Sequence, residues 1–223
     1  MRIQVKGKMC RVLDYRQISC KHLQDILNGK EPCEVLINKL PNNINKREVD
    51  FLNELVSDKL VIPDAFTNRW KKEGELLQWA AGLNINVFEG IRAEIQRREE
   101  KTALAIPFIL DAVKVPKKLR KYHWEIGLKV YTAIGLFLDH WSNYGIFDEP
   151  TEQEADAMEE AGVHIIGSFE AYPIIQKIAE RYGKLPMEIE RETAGWVYKD
   201  YVYNECRDDY KTKYQKIMAR KRG

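Results

Sequence analysis

A chain of 223 residues with 44% hydrophobic and 10% aromatic side chains carries enough apolar material for one large domain or two small ones, which excludes a disordered polypeptide. Its 36 Lys and Arg nearly cancel 34 Asp and Glu, leaving a net charge of +2. A protein held mainly through phosphates is more lopsided, so bulk charge gives no support for nucleic acid as a partner. No stretch approaches the roughly 20 apolar residues needed to span a bilayer, and Lys129 interrupts the best candidate, residues 126–138. Residues 1–8 lack the apolar region of a signal peptide. Cys10, Cys20, Cys33 and Cys206 are scattered without a CxxC pair, so reduced thiols in a cytoplasmic protein are the expectation.

Residues 2–6 alternate weakly and suit a short strand, paired with residues 10–14 across Gly7-Lys8. Ser19 caps a short helix that stops at Gly29. Asn45, with Glu48 three residues on, predicts a capping box and a helix with Val49, Phe51, Leu52, Leu55 and Val56 inward, closed by Pro63. Asp64 suits the start of a turn or short helix with Phe66 and Trp70. Gly74 and Gly82 bracket another that carries Leu76, Leu77 and Trp79. Asn86 and Glu89 repeat the capping pattern before a helix running to about Lys101, with Phe88, Ile91 and Ile95 as its apolar stripe. The apolar run 103–110 is broken by Pro107. A helix is preferred there because no partner strand lies nearby in sequence.

Pro116 suits the first position of a long core helix on which Leu119, His123, Ile126, Val130, Ile134, Phe137 and Trp141 recur at helical spacing, with Gly145 as its stop. Thr151 can cap an acidic helix that Gly162 ends. The stretch 148–160 holds seven acids and no bases. Ser168 opens the next helix, with Ile174, Ile175, Ile178, Ala179 and Tyr182, and Gly183 ends it. Pro186 then starts a final helix reaching about Ala219, roughly 50 Å at 1.5 Å per residue. The expected fold is mostly α: an irregular multi-helix bundle with a small β-containing N-terminal element and a long C-terminal helix. A soft boundary near Val115-Pro116 divides an N-terminal mainly helical region, 1–115, from a C-terminal helical domain, 116–223.

Chemistry is hard to find in this pattern. His22, His123, His140 and His164 do not stand at i+3 or i+4 from one another, and neither HExxH nor a Glu-x-x-His pair occurs, so no metal is expected. There is no phosphate-cradling GxxxxGK[ST], no GxGxxG after a strand and no GxSxG elbow. Glu188, Glu190 and Glu192 cluster at the start of the final helix, where the helix dipole already favours negative charge. No cofactor and no catalytic residue are expected; the chain reads as a binding protein and not an enzyme.

The last forty residues carry the clearest signal. Trp196, Tyr203, Tyr210, Tyr214 and Ile217 are spaced 7, 7, 4 and 3, which places them on one helical stripe, extended by Ile189, while Tyr198 and Tyr201 point elsewhere. Trp196 and Tyr203 suit the edge of a core as well as a partner. Tyr210, Tyr214 and Ile217 better suit a partner, because Tyr and Trp bury much area at low entropy cost. Residues 211–222 hold six bases and no acids, and Lys213, Lys216 and Arg220 are expected to add charge complementarity.

The stretch Ile178-Ala179-Glu180-Arg181-Tyr182-Gly183-Lys184-Leu185-Pro186-Met187-Glu188-Ile189 resembles a "short helix, Tyr-Gly, Pro, Glu-Ile, longer helix" element of small tail-assembly proteins of tailed bacteriophages, including the chaperones of the tape-measure protein. The resemblance covers residues 172–214. It implies a non-enzymatic viral tail-assembly chaperone in the host cytoplasm that binds an unassembled tail protein, the tape measure, by protein–protein interaction. The alternatives are a structural virion component, such as a connector or minor tail protein, forming a homo-oligomer through the acidic 148–160 segment and the basic tail, and a nucleic-acid binder using that tail.

Overall fold

The structure, a computed structural model, describes residues 1–14, 17–69, 74–116, 124–142 and 172–222. In chain order the elements are strands β1 (Arg2–Val5) and β2 (Lys8–Val12), helices α1 (Cys20–Leu27) and α2 (Pro32–Leu36), strand β3 (Ile37–Asn38), and helices α3 (Lys46–Ser57), α4 (Asp64–Thr67), α5 (Gly74–Ala81), α6 (Ile85–Gln96), α7 (Ile106–Ala112), α8 (Trp124–Ser142), α9 (Tyr172–Tyr182), α10 (Pro186–Ile189) and α11 (Ala194–Arg222). The fold is mostly helical, with one small antiparallel sheet and a long C-terminal helix. It divides into two compact units that interleave along the chain: residues 1–72 with 91–132, and residues 73–90 with 133–223. The boundary expected at 115–116 falls inside the first unit.

The first unit begins with a hairpin whose turn is Lys6-Gly7, at φ +48° and +76°. Positive φ at both central residues matches the right-handed strand twist, and Gly7 adopts it without a Cβ penalty. Arg2 therefore pairs with Arg11 and Val5 with Lys8, the turn falling one position earlier than Gly7-Lys8, and β3 adds Ile37 opposite Val12. Val5, Cys10 and Val12 are buried. Helix α1 starts at Ser19, whose backbone N–H donates to Nδ1 of His22 at 3.0 Å, and Gly29 beyond its end takes φ +93°. The capping box at α3 forms as its sequence predicts: Glu48 N–H donates to Asn45 Oδ1 at 3.0 Å and Asn45 N–H to Glu48 Oε2 at 2.7 Å. Leu52 and Val56 of α3 are buried, but Phe51 is 64% exposed, one residue off the inward stripe.

The 103–110 run is helical, as preferred. A 3-10 segment, Glu99–Ala105, passes into α7 with Pro107 in its first turn, where a missing N–H costs least. Ile106, Ile109 and Leu110 are fully buried. At Gly127 of α8 a Cβ would stand 2.6 Å from Ile106 Cγ2, so glycine is what allows α7 and α8 to pack.

In the second unit Phe88 of α6, Phe137 of α8 and Tyr198 of α11 meet with ring centroids 4.8, 5.6 and 5.3 Å apart. All three are buried, at tilted or edge-to-face angles that suit aromatic quadrupoles. Val130, Ile134 and Phe137 of α8 lie in the core as their spacing predicts. Leu119, His123, Gly145 and the whole of the Thr151–Gly162 and Ser168 expectations lie outside the described residues. Helix α9 buries Ile175, Ile178 and Ala179, while Tyr182 is 51% exposed. It ends as expected at Gly183 (φ +61°), where the Gly183 N–H donates to Glu180 O and the Lys184 N–H to Ala179 O, a Schellman pattern.

Two expectations are corrected here. Asn86 and Glu89 do not form the cap of α6. Asn84 does, its Oδ1 accepting from the Asn86 N–H at 3.0 Å, while Glu89 is buried and accepts a 2.6 Å hydrogen bond from the Tyr198 hydroxyl. Nor is the final helix continuous from Pro186. The chain turns after Ile189, and Thr193 recaps it, with its carbonyl accepting from Val197 N–H at 3.1 Å. The break is held from outside: Asn84 Nδ2 donates to Glu190 O at 2.8 Å, Ile85 N–H to Glu192 O at 3.1 Å and Ala194 N–H to Leu83 O at 2.7 Å. These bonds stitch the start of α11 to the α5–α6 turn.

Candidate functional site: the outward face of the C-terminal helix

Helix α11 runs 29 residues, about 43 Å at 1.5 Å per residue, and carries two apolar faces. Ala194, Val197, Tyr198 and Val202 are buried against the second unit. Small and β-branched side chains bring the helix in close, and at Gly195 a Cβ would lie 2.8 Å from the Ala81 Cβ and 2.9 Å from the Ala81 carbonyl oxygen. At 100° per residue Tyr203, Tyr210, Tyr214 and Ile217 project about half a turn away from that buried face. They are 63%, 65%, 51% and 50% exposed.

The expectation that Tyr203 suits the edge of the core is corrected, while Tyr198 points away from the outer stripe as its spacing predicts. Tyr198 is the core ring, and Tyr203 stands in solvent. Choosing the stripe by aromatic identity picked the outer face; the inner one was legible in Ala194, Val197 and Val202. Trp196 is half-buried and belongs to the joint between α9 and α11, its ring 6.0 Å from that of Tyr182. The same joint holds Asp200, which accepts from the Tyr182 hydroxyl at 2.6 Å and from Arg181 at 3.1 Å. The hydrogen bond to Asp200, with burial and that carboxylate's charge behind it, raises the Tyr182 pKa. Trp196 therefore sits at the root of the stripe, apart from the rest.

Beyond the joint, every residue from Cys206 to Ile217 is exposed. Tyr210 and Tyr214 stack one turn apart, centroids 6.1 Å and planes 21°. Lys213 pairs with Asp209 at 2.6 Å, a bond that raises the pKa of its ammonium. Asp208 lies 3.4 Å from Arg207 and 3.6 Å from Lys211, and Glu205 pairs with Lys177 of α9 at 2.6 Å. Lys216, Arg220 and Lys221 make no ion pair with a described residue. Cys206, an exposed free thiol one turn before Tyr210, lies beside this face, where its spacing placed it as a flanking residue of the stripe.

Elsewhere the described residues offer two shallow clefts in the first unit. One is lined by Val5, Lys6, Glu48, Phe51 and Leu52, where Lys6 meets Glu48 at 3.3 Å. The other is lined by Gln96, Arg97, Arg98, Lys101 and Leu104, and both of its arginines are held by Glu94. Among the described residues no group of three or more His, Cys, Asp or Glu side chains converges as a metal site would require, and no helix is long and apolar enough to cross a membrane. Comparison with known proteins found no matching family model, no matching curated protein and no matching solved structure.

Proposed function

We propose that this protein acts by binding, and that the outward face of α11 receives an apolar helical segment of a partner. The observation that carries the reading is the exposure of Tyr203, Tyr210, Tyr214 and Ile217 on the side of α11 opposite its core contacts. A seam of rings and an aliphatic side chain in water gains free energy when covered, at roughly 25 cal/mol per Å² of apolar surface. A neighbouring helix is the geometry that covers such a seam. Lys213 and Arg220 edge it, Lys216 adds charge farther round the helix, and together they select among partners.

The partner class we propose is an unassembled tail protein of a tailed bacteriophage, the tape measure foremost, with this chain as its assembly chaperone. Support comes from the resemblance of residues 178–189 to the helix–turn–helix punctuation of such proteins. Co-expression tests it. A tape-measure protein that precipitates when made alone should stay soluble and co-purify with the wild-type chain, and should precipitate again with the Tyr210→Ala, Tyr214→Ala double variant. Equal solubility with the variant would overturn the role of this face.

A further inference from the structure

We infer that the occupant of this face is an acidic amphipathic helix, one whose apolar stripe is edged by Asp or Glu. The inference rests on the reading that α11 is a docking surface and adds the chemistry of what docks. Around the helix, Lys213 and Arg220 follow one edge of the Tyr203–Tyr210–Tyr214–Ile217 seam, with Lys216 farther round. Lys211 follows the other edge, and Lys221 continues the seam past Ile217. Cations flanking an apolar stripe occupy the places that set partner choice in paired helices. Arg220 and Lys221 make no ion pair with a described residue, so carboxylates on the facing helix satisfy them, whereas a neutral helix leaves them partly desolvated and unmatched.

The same charges argue against a second copy of α11. Residues 211–222 hold no acid, so parallel pairing sets six bases against six. Antiparallel pairing brings those bases to Glu205, Asp208 and Asp209, whose carboxylates are already engaged by Lys177, by Arg207 and Lys211, and by Lys213. Single-stranded nucleic acid fits less well. Tyr210 and Tyr214 already stack on each other, and Ile217 offers a base no ring. The stretch from Cys206 to Lys221, exposed but for half-buried Met218, is about 24 Å long, enough for four turns of a partner helix.

The test uses the full chain and a fluorescent synthetic helix of about 18 residues, matched to that length, with leucine in the apolar stripe and glutamate at its edges. A second peptide replaces glutamate by lysine. Anisotropy titrations at low and high salt should show the acidic peptide binding, and binding should weaken as salt rises. Lys213→Glu, Lys216→Glu, Arg220→Glu together should cost roughly tenfold or more at low salt and shift preference to the lysine-edged peptide. Tyr210→Ala with Tyr214→Ala should abolish binding of both.

Equal binding of both peptides to the wild type overturns the acidic class while the docking reading stands. Binding of neither overturns both. Concentration-dependent self-association that the tyrosine variant abolishes makes a second copy the occupant. Tighter binding of an oligothymidylate or of anionic vesicles than of the acidic peptide replaces the helix by that ligand.

Discussion

Tyr210 and Tyr214 stack on one another in open solvent, their ring centroids 6.1 Å apart and one helical turn removed from each other. They are 65% and 51% exposed, and they stand on the side of α11 turned away from the core that Tyr198 helps to build. Their contact is local to the helix, so folding asks little of them. Replacing both by alanine should change stability by no more than about 0.5 kcal/mol, the value of one (i, i+4) pair. A thermal melt that matches wild type supports this; a large drop would make the rings structural.

Tyr198 should behave in the opposite way. Its hydroxyl donates at 2.6 Å to the buried Glu89 carboxylate inside the Phe88–Phe137 cluster. Tyr198→Phe removes one hydrogen-bond donor from a buried acceptor and should cost about 1–3 kcal/mol by urea denaturation. The parallel Tyr203→Phe change, on an exposed ring, should stay within about 0.5 kcal/mol of wild type.

Gly195 offers a backbone test of how α11 is seated. Alanine is normally better in a helix by about 1 kcal/mol, yet a Cβ here would meet Ala81 at 2.8 Å and its carbonyl oxygen at 2.9 Å. Gly195→Ala should therefore destabilise the protein by about 1–3 kcal/mol through overpacking. A rise in melting temperature would show that α11 and α5 are not in close contact.

A pH dependence follows from His22. Burial lowers its pKa, with Asp25 opposing and Lys21 adding to the effect, and its Nδ1 must be unprotonated to accept the Ser19 N–H at 3.0 Å. The unfolded chain then takes up the proton more readily than the folded one. The His22 contribution is intact above the ordinary histidine value of about 6.5 and is lost as pH falls through it toward the lower folded value. Melting temperature should drop across that window in the wild type. The drop should be smaller in His22→Gln, whose amide can accept the same N–H at any pH. Identical pH profiles would remove His22 from the account.

Much of the architecture was legible because caps and stops are local chemistry. Ser19, Asn45 with Glu48, Pro107 and Gly183 each do in space what their residue types dictate. Periodicity also placed Val130, Ile134 and Phe137 inward. What resisted reading was set by long-range contacts. Glu89 looked like a capping acid because nothing nearby in sequence reveals Tyr198, more than a hundred residues on. The break after Ile189 depends on Asn84 and Leu83, equally remote. The outer stripe of α11 was found by its ring spacing and the buried face was legible in Ala194, Val197 and Val202, but the seat of that face, Gly195 against Ala81, is a long-range contact that spacing does not contain.

The Tyr203–Ile217 face is open in the free chain and, in the proposed complex, covered. Hydroxyl-radical footprinting reads both states directly. Tyr203, Tyr210 and Tyr214 should be oxidised readily in the chain alone and protected when the co-purified tail protein is bound, while Tyr198 stays protected throughout. Oxidation of the three outer rings at the same rate in both states would show that the partner does not cover this face.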